Sequence, residues 1–273
     1  MKDFLKIMLA SALGFIIANI VLGIIMTFVF AASAGSFFSS MSKQSPIELK
    51  DNSVLYMKLS GTVQERVADD ELSSFMEDDN SVAIGLNDIV GAIRKAKNND
   101  KIEGIYIESS MFSASTATLA EIRQELLNFK ESGKFIVSYS DSYTQQGYYL
   151  ASVADKMAIN PQGMLDLHGI ASIPMFYKDA LDKLGIKVQV FKVGTYKSAV
   201  EPFIQNEMSD ANREQITAYI NDIWSFIRKD ISESRNLSTA ELDSIVNKMP
   251  ALDKTETLLA ANLVDTILYE TEM

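Results

Sequence analysis

The stretch KIEGIYIESSMFSASTATLAEIRQELLNFKESGKFIVSYSD, Lys101–Asp141, decides the fold. Its opening, KIEGIYIESS, is apolar-rich and reads as a strand. The following TATLAEIRQELLNFKESGK places Leu119, Ile122, Leu126 and Phe129 on one helical face, and Gly133 sits where a helix C′ glycine belongs. FIVSYSD is a second strand. Strand, helix and strand in this order form a β–α–β unit, which implies parallel strands joined by a right-handed crossover.

The same alternation extends in both directions. Toward the amino end, DNSVLYMKLSG sets Val54, Tyr56 and Lys58 against Leu55, Met57 and Leu59, a strand ending at Gly61. LNDIVGAIRKAKNND is amphipathic through Ile89, Ile93 and Ala96, with Asn87 suited to the N-cap. Toward the carboxyl end, SYTQQGYYLASVAD reads as a helix and KMAINPQG as a short buried strand with a turn. PMFYKDALDKLG is a helix closed by Gly185, and IKVQVFKV (186–193) alternates as another strand. SDANREQITAYINDIWSFIRKDISESRN is a long helix, and Ser238–Glu241 is a capping box that opens one more. The pattern predicts an α/β fold with a mostly parallel sheet wrapped by helices. Residues 52–273 are enough for one such domain with a good core.

Before it stands a segment of another kind. From Ile7 to Ser42 there is no charged residue, and Met8–Ala32 is almost wholly apolar. At ~1.5 Å per residue that core spans roughly 37 Å as a helix, against about 30 Å of hydrocarbon in a bilayer. The competing reading is a cleaved signal peptide, with small residues at Ala32, Ser33 and Ala34, but the core exceeds the usual h-region of about 7–15 residues. We therefore assign 1–33 as a transmembrane anchor and the Ser-rich 34–51 as a tether. Lys2 and Lys6, partly offset by Asp3, favour a cytoplasmic amino end and an external body.

Composition narrows the chemistry. The net charge of −11 argues against a nucleic-acid partner. The chain has no cysteine and one histidine, His168. Thiolate catalysis and Cys- or His-rich metal sites are thus excluded, and acid–base work falls to carboxylate, lysine, tyrosine or serine. No glycine-rich nucleotide motif and no G-x-S-x-G elbow occurs, and no cofactor is called for. His168, in LDLHG, has a ligand or acid reading beside the commoner structural one. Tyr148 and Tyr149 could bind a peptide backbone, although adjacent helical aromatics are more often one core and one surface residue. The acidic runs at 69–71 and 76–79 lack calcium-loop spacing and read as solvated loop.

Lys197 is the candidate with most behind it. It lies in VGTYKSAVEPF, Val193–Phe203, after the expected strand 186–193, and ligand sites in parallel sheets gather at strand carboxyl ends. Thr195, Tyr196 and Ser198 surround it with hydroxyls, and an apolar segment follows. Burial disfavours the charged form of a lysine, and a neutral amine can take a proton from a serine hydroxyl. The ordinary alternative is a solvated lysine after a glycine turn.

At this motif the sequence resembles the signal peptide peptidases of the protease IV, or SppA, family. GYYLASVADK, PQGMLDLHG and FKVGTYKSAVEPF stand in the family's order, and the amino-terminal anchor fits as well. The resemblance implies a crotonase-like (ClpP-like) fold and a serine-type peptidase with a Ser–Lys dyad that degrades cleaved signal peptides. Lys197 occupies the position of the general base. Two departures stand out. Gln145, in ThrGlnGlnGlyTyrTyr (144–149), occupies the position of the short-form family's serine. The stretch 108–113, GluSerSerMetPheSer, lacks the glycines of the family's oxyanion loop. This pattern is similar to the amino-terminal half of the family's long form, where one copy of the fold carries the lysine and a second copy carries the serine. It implies a lysine-bearing half, inactive alone, whose serine-bearing second domain is absent from residues 1–273. Apolar peptide substrates, the membrane and a homo-oligomer are the implied partners. The implied location is the bacterial inner membrane, with the body facing the periplasm. Ser138, Ser140 and Ser142 lie near enough to be considered as substitute nucleophiles. A non-catalytic, membrane-tethered peptide-binding scaffold is the alternative reading.

Overall fold

The computed structural model describes residues 2–41, 49–67 and 83–273. Both acidic runs and part of the tether lie outside the described residues. The chain divides into two units, Met1–Leu49 and Lys50–Met273.

The first unit is a single helix, α1 (Lys2–Met41), which continues past residue 33 into the stretch expected to be tether. Within it Lys6–Phe30 is long and apolar enough to cross a membrane. Its polar side chains turn back on the helix: Asn19 Nδ2 donates to Phe15 O (2.9 Å) and Thr27 Oγ1 to Gly23 O (2.7 Å). Hydrocarbon demands this, since it offers such groups no partner of its own.

The second unit is a six-stranded, all-parallel sheet in the order β2-β1-β3-β4-β5-β6. The strands are β1 (Ser53–Gln64), β2 (Ile84–Gly85), β3 (Ile102–Ser113), β4 (Phe135–Tyr143), β5 (Lys156–Leu165) and β6 (Thr266–Ile267). Helices α2 (Leu86–Lys97), α3 (Thr116–Lys130) and α4 (Gln145–Ala151) make the crossovers. Beyond β5 come α5 (Lys178–Lys183), α6 (Glu201–Ile204), α7 (Asp210–Arg235), α8 (Thr239–Val246) and α9 (Thr255–Ala260).

The crossover helices form where the sequence expects them. Helix α3 starts because the Ser115 hydroxyl accepts from Thr118 N, and it buries Leu119, Ile122, Leu126 and Phe129. Gly133 adopts the left-handed φ of +82° that reverses the chain. Helix α2 buries Ile89, Val90, Ile93 and Ala96 and carries Arg94, Lys95 and Lys97 in its last turn, where they oppose the helix dipole. Its N-cap is Gly85 and not Asn87; Asn87 lies inside the first turn and donates to Glu65 O (3.1 Å). Arg94 joins α2 to α3 through a fork onto Glu125 (3.0 and 2.6 Å).

Three strand expectations need correction. Strand β1 does not end at Gly61. It continues to Gln64, with Gly61 at φ +69° beside a register shift between Leu59 and Gly61. The supposed loop 108–113 is the carboxyl part of β3. Residues 186–193 form no strand at all; Phe191 and Val193 are 95% and 90% exposed. Alternation signals a strand only where a partner edge exists, and among the described residues no strand pairs with that segment.

The sheet is dressed unequally. Leu55, Met57 and Leu59 of β1 pack into the core, whereas Val54 and Tyr56 on the opposite face are exposed. Tyr56 stacks on Tyr106 of β3 at 5.5 Å on that outer face. On the core side α4 is buried from Gly147 to Ala151, and both tyrosines of its pair are buried, which overturns the expectation of one inside and one outside. Each hydroxyl finds an acceptor, Tyr148 OH on Leu263 O (2.8 Å) and Tyr149 OH on Asp230 Oδ2 (2.6 Å).

One buried cation joins the helices. Arg123 of α3 is 3% exposed, and its guanidinium donates to Tyr149 O, to Ser152 Oγ (2.8 Å), to Asp230 O (2.7 Å) and to Ser234 Oγ (2.6 Å). It also lies over the Tyr149 ring, 4.7 Å from the centroid. A second fork, Arg235 onto Asp265 (3.0 and 2.7 Å), ties the end of α7 to the start of β6, where Asp265 also accepts from Met157 N (2.8 Å). Burial alone would raise the Asp265 carboxyl, but the hydrogen bonds and charge of Arg235 hold it below its ordinary value.

Two outcomes follow from these contacts. Arg123→Ala strands several buried acceptors and one carboxylate, and should cost about 3–5 kcal/mol in urea denaturation of the detergent-solubilised chain. Because the folded Asp265 titrates below its unfolded value, its stabilisation is present above that value and lost as pH falls through the folded one. The stability gap between the native chain and Asp265→Asn should therefore be full at pH 7 and close below about pH 4.

Candidate active site

Lys197 sits on a turn built by sequence that the strand reading did not capture. Gly194 takes φ +101°, a conformation closed to most side chains, and redirects the chain into Thr195–Tyr196. The turn is fastened at its far end by Glu201, the first residue of α6, whose N–H donates to Ser198 O (2.9 Å). Glu201 is 1% exposed, and its carboxylate accepts from Ser209 N (3.2 Å), Ser209 Oγ (2.6 Å) and Asn212 Nδ2 (2.8 Å). Burial opposes its ionisation, but these donors and the Lys192 charge hold the carboxyl below its ordinary range. The buried carboxylate thus locks the lysine turn to the first turn of α7, and Tyr196 OH adds a contact to Glu214 (3.2 Å). Sequence reasoning missed Glu201. Its signal was a carboxylate set between apolar residues, eight positions before the Ser-x-x-Asn cap of the next helix.

The Lys197 side chain is exposed and lines a cavity of about 530 Å³ together with Phe191, Val193, Tyr196, Val200 and Gln215. The walls are largely apolar, although Lys192 and Ser198 also line them, and they are open: Tyr196, like Phe191 and Val193, is largely exposed. The cavity lies next to no strand end, so the argument that placed Lys197 after a strand fails even though its cavity is real.

The other candidate residues gather elsewhere, at the carboxyl ends of β3, β4 and β5. Thr144 caps α4 by accepting from Gly147 N (3.1 Å). Gln145 does not face an open site. Its Oε1 accepts from His168 N (3.1 Å) and Gly169 N (2.8 Å), and its Nε2 donates to Gly169 O (3.1 Å). Gln146 does the same on the opposite wall, accepting from Ala114 N (3.1 Å) and donating to Ala114 O (3.0 Å). Two carboxamides thus saturate backbone groups on both sides of the α4 turn in the manner of a paired strand. Gly147 is required here, because a Cβ would stand 2.2 Å from Ser109 Oγ.

The candidate serines separate by burial. Ser138 is fully buried and bonded to Tyr143 OH (2.9 Å). Ser140 is 3% exposed and fills the bulge between β4 and β5, with its Oγ 2.5 Å from Ser109 O. Neither is presented to a substrate. Ser142 is exposed. His168 is also exposed, 3.8 Å from Asp166. None of these residues lines the Lys197 cavity.

Comparison with known proteins places this geometry. The model of peptidase family S49 matches residues 128–273, over half of the chain. Protease 4 of Salmonella typhi is 43% identical over 158 residues, 58% of this chain and 26% of that protein. Protease 4 of Haemophilus influenzae is 33% identical over 228 residues, 81% of this chain and 37% of that protein. The chloroplastic serine protease SPPA of Arabidopsis thaliana is 27% identical over 225 residues, 82% of this chain and 32% of that protein. The chain therefore spans between about a quarter and two fifths of the length of these curated relatives. The family match covers the α4 turn and the lysine-bearing segment beyond β5, and with a parallel α/β sheet beneath them the assignment is plain: the chain belongs to peptidase family S49, with the signal peptide peptidases of the SppA kind.

Proposed function

We propose that this chain is the lysine-bearing part of a membrane-anchored serine peptidase, in which Lys197 acts as general base toward a serine supplied from outside residues 1–273. The observation that carries the reading is the contrast between the two cavities. Lys197 stands on a turn fixed by a buried carboxylate, in an open cavity with apolar walls. The α4 turn, where the resemblance expects the serine, holds Gln145 with its carboxamide already committed to backbone. An amide cannot serve as a nucleophile toward a peptide carbonyl, whereas an amine in an apolar cavity becomes a base once a partner surface removes water from it.

The unpaired alternating segment 186–193 supports the same reading. It carries a strand's alternation without forming a strand, and it exposes Phe191 and Val193 beside the lysine. A second module or a neighbouring copy that pairs with this segment would both cover the apolar residues and desolvate the amine. In the mechanism, the neutral Lys197 Nζ takes the serine proton as Oγ attacks the scissile carbonyl. It returns that proton to the leaving amine as the acyl-enzyme forms, and water then completes hydrolysis. A membrane-spanning α1 would tether the body to a bilayer, and extended apolar peptides such as signal-peptide remnants are the substrate class this reading supports. Its basic amino end favours an inner-membrane orientation with the body in the periplasm, and assembly into a homo-oligomer accompanies the role.

A second reading, a tethered scaffold that binds peptides without cleaving them, is favoured by Gln145 and Gln146, which close the α4 turn. The two readings differ in the protein that carries both parts. There, Lys197→Ala should lower kcat for an apolar peptide by about 10³-fold or more with little change in KM. Unchanged cleavage removes Lys197 from the chemistry, and absence of cleavage with Lys197 intact selects the scaffold.

A further inference from the structure

The lysine turn draws no support from the sheet. Residues 186–193 pair with no strand among the described residues, and Phe191 and Val193, just before the turn, are almost fully exposed. Beyond Lys197 the chain enters α6, a helix of four residues, too short to hold itself. Its position must be set by its neighbours. On one side Tyr177, the N-cap of α5, donates its N–H to Pro202 O (2.6 Å) and stacks its ring on Phe203, with centroids 6.1 Å apart. On the other side stands α7.

Glu201 opens α6 and meets the amino end of α7. Ser209 is the N-cap of that 26-residue helix: its Oγ accepts from Asn212 N (3.2 Å) and donates to Glu201 Oε1 (2.6 Å). Ser209 N (3.2 Å) and Asn212 Nδ2 (2.8 Å) donate to Glu201 Oε2. Both oxygens of one buried carboxylate are thus engaged, and its negative charge lies where the dipole of a long helix is positive. The Glu201 N–H in turn donates to Ser198 O (2.9 Å), on the residue that follows Lys197. One residue therefore connects the end of α7 to the lysine turn through hydrogen bonds. These fix direction as well as distance, which apolar packing does not. The other tie, Tyr196 OH to Glu214, is long at 3.2 Å and belongs to a half-exposed ring.

We propose that Glu201 is the positioning residue of the Lys197 base: its carboxylate fixes the turn, and with it the reach of Nζ, against the amino end of α7, without itself touching substrate. The inference rests on the general-base reading of Lys197 and adds the group that sets where the base stands. Proton transfer is sensitive to such placement, since a displacement of about 1 Å costs on the order of 10²-fold in rate.

Two readouts test it. In the full chain in non-ionic detergent, Glu201→Ala should speed trypsin cleavage after Lys197 about tenfold and leave cleavage after Lys130, at the end of α3, as it was. In the protein that carries both parts, the same variant should lower kcat about 10²-fold at an unchanged KM. Sodium formate, whose carboxylate fits the space left beside Ser209 and Asn212, should restore much of that loss, and neutral formamide should not. Asn212→Ala removes one donor and keeps Glu201, so it should move both readouts the same way by a smaller factor; it serves where Glu201→Ala does not fold. Trypsin cleavage unchanged in both variants overturns the proposal. So does a native kcat in Glu201→Ala where Lys197→Ala abolishes cleavage, or a loss that formate relieves no better than formamide. Cleavage that survives Lys197→Ala overturns the general-base reading instead, and the trypsin rates then decide by themselves whether Glu201 fixes the turn.

Discussion

A guanidinium has no neutral form to retreat to at any pH a protein meets, so a buried arginine obliges its neighbours to supply acceptors. Arg123 imposes that obligation on the core-side layer. Its donors reach the carbonyl and hydroxyl at the end of α4 and the backbone and side chains of α7, so three helices far apart in sequence share one centre. With that centre fixed, Tyr148 and Tyr149 can both be interior, because each hydroxyl has a fixed acceptor to meet. The first turn of α4 is then held against β3, close enough that only glycine fits at position 147.

Much of this was legible in the sequence wherever the signal was local. The β–α–β unit at 101–141, the capping box at Ser238 and the left-handed glycines at 133 and 185 all depend on contacts within a few residues. The failures are equally physical. Residues 186–193 carry a strand's alternation, but a strand needs an edge, and the pattern does not say whether the edge lies in the same chain. Two adjacent tyrosines read as one inside and one outside because a short helix usually has a wet face; in α4 the face that carries Tyr149 meets α7 through Phe226 and Asp230. Gly61 reads as an end because glycine punctuates strands, and here it marks a bulge through which β1 continues.

The candidate site was legible in half. Lys197 stands out by motif, but the residue that fastens it, Glu201, works through donors eight and eleven positions away, and its apolar neighbours alone do not say which partners it meets. Gln145 and Gln146 were visible only as a missing serine. Folded, they are staples that satisfy the backbone at 114 and at 168–169, which explains why the turn persists without a nucleophile. The Lys197 cavity, by contrast, is open and holds its lysine beside exposed apolar residues.

The central claim is that the base lies in this chain and the nucleophile does not. It is tested most directly by labelling the protein that carries both parts with a serine-reactive fluorophosphonate and locating the adduct by mass spectrometry. The account predicts a single modified serine outside residues 1–273, with labelling abolished in Lys197→Met. An adduct on Ser142, or labelling that persists undiminished without Lys197, would contradict it.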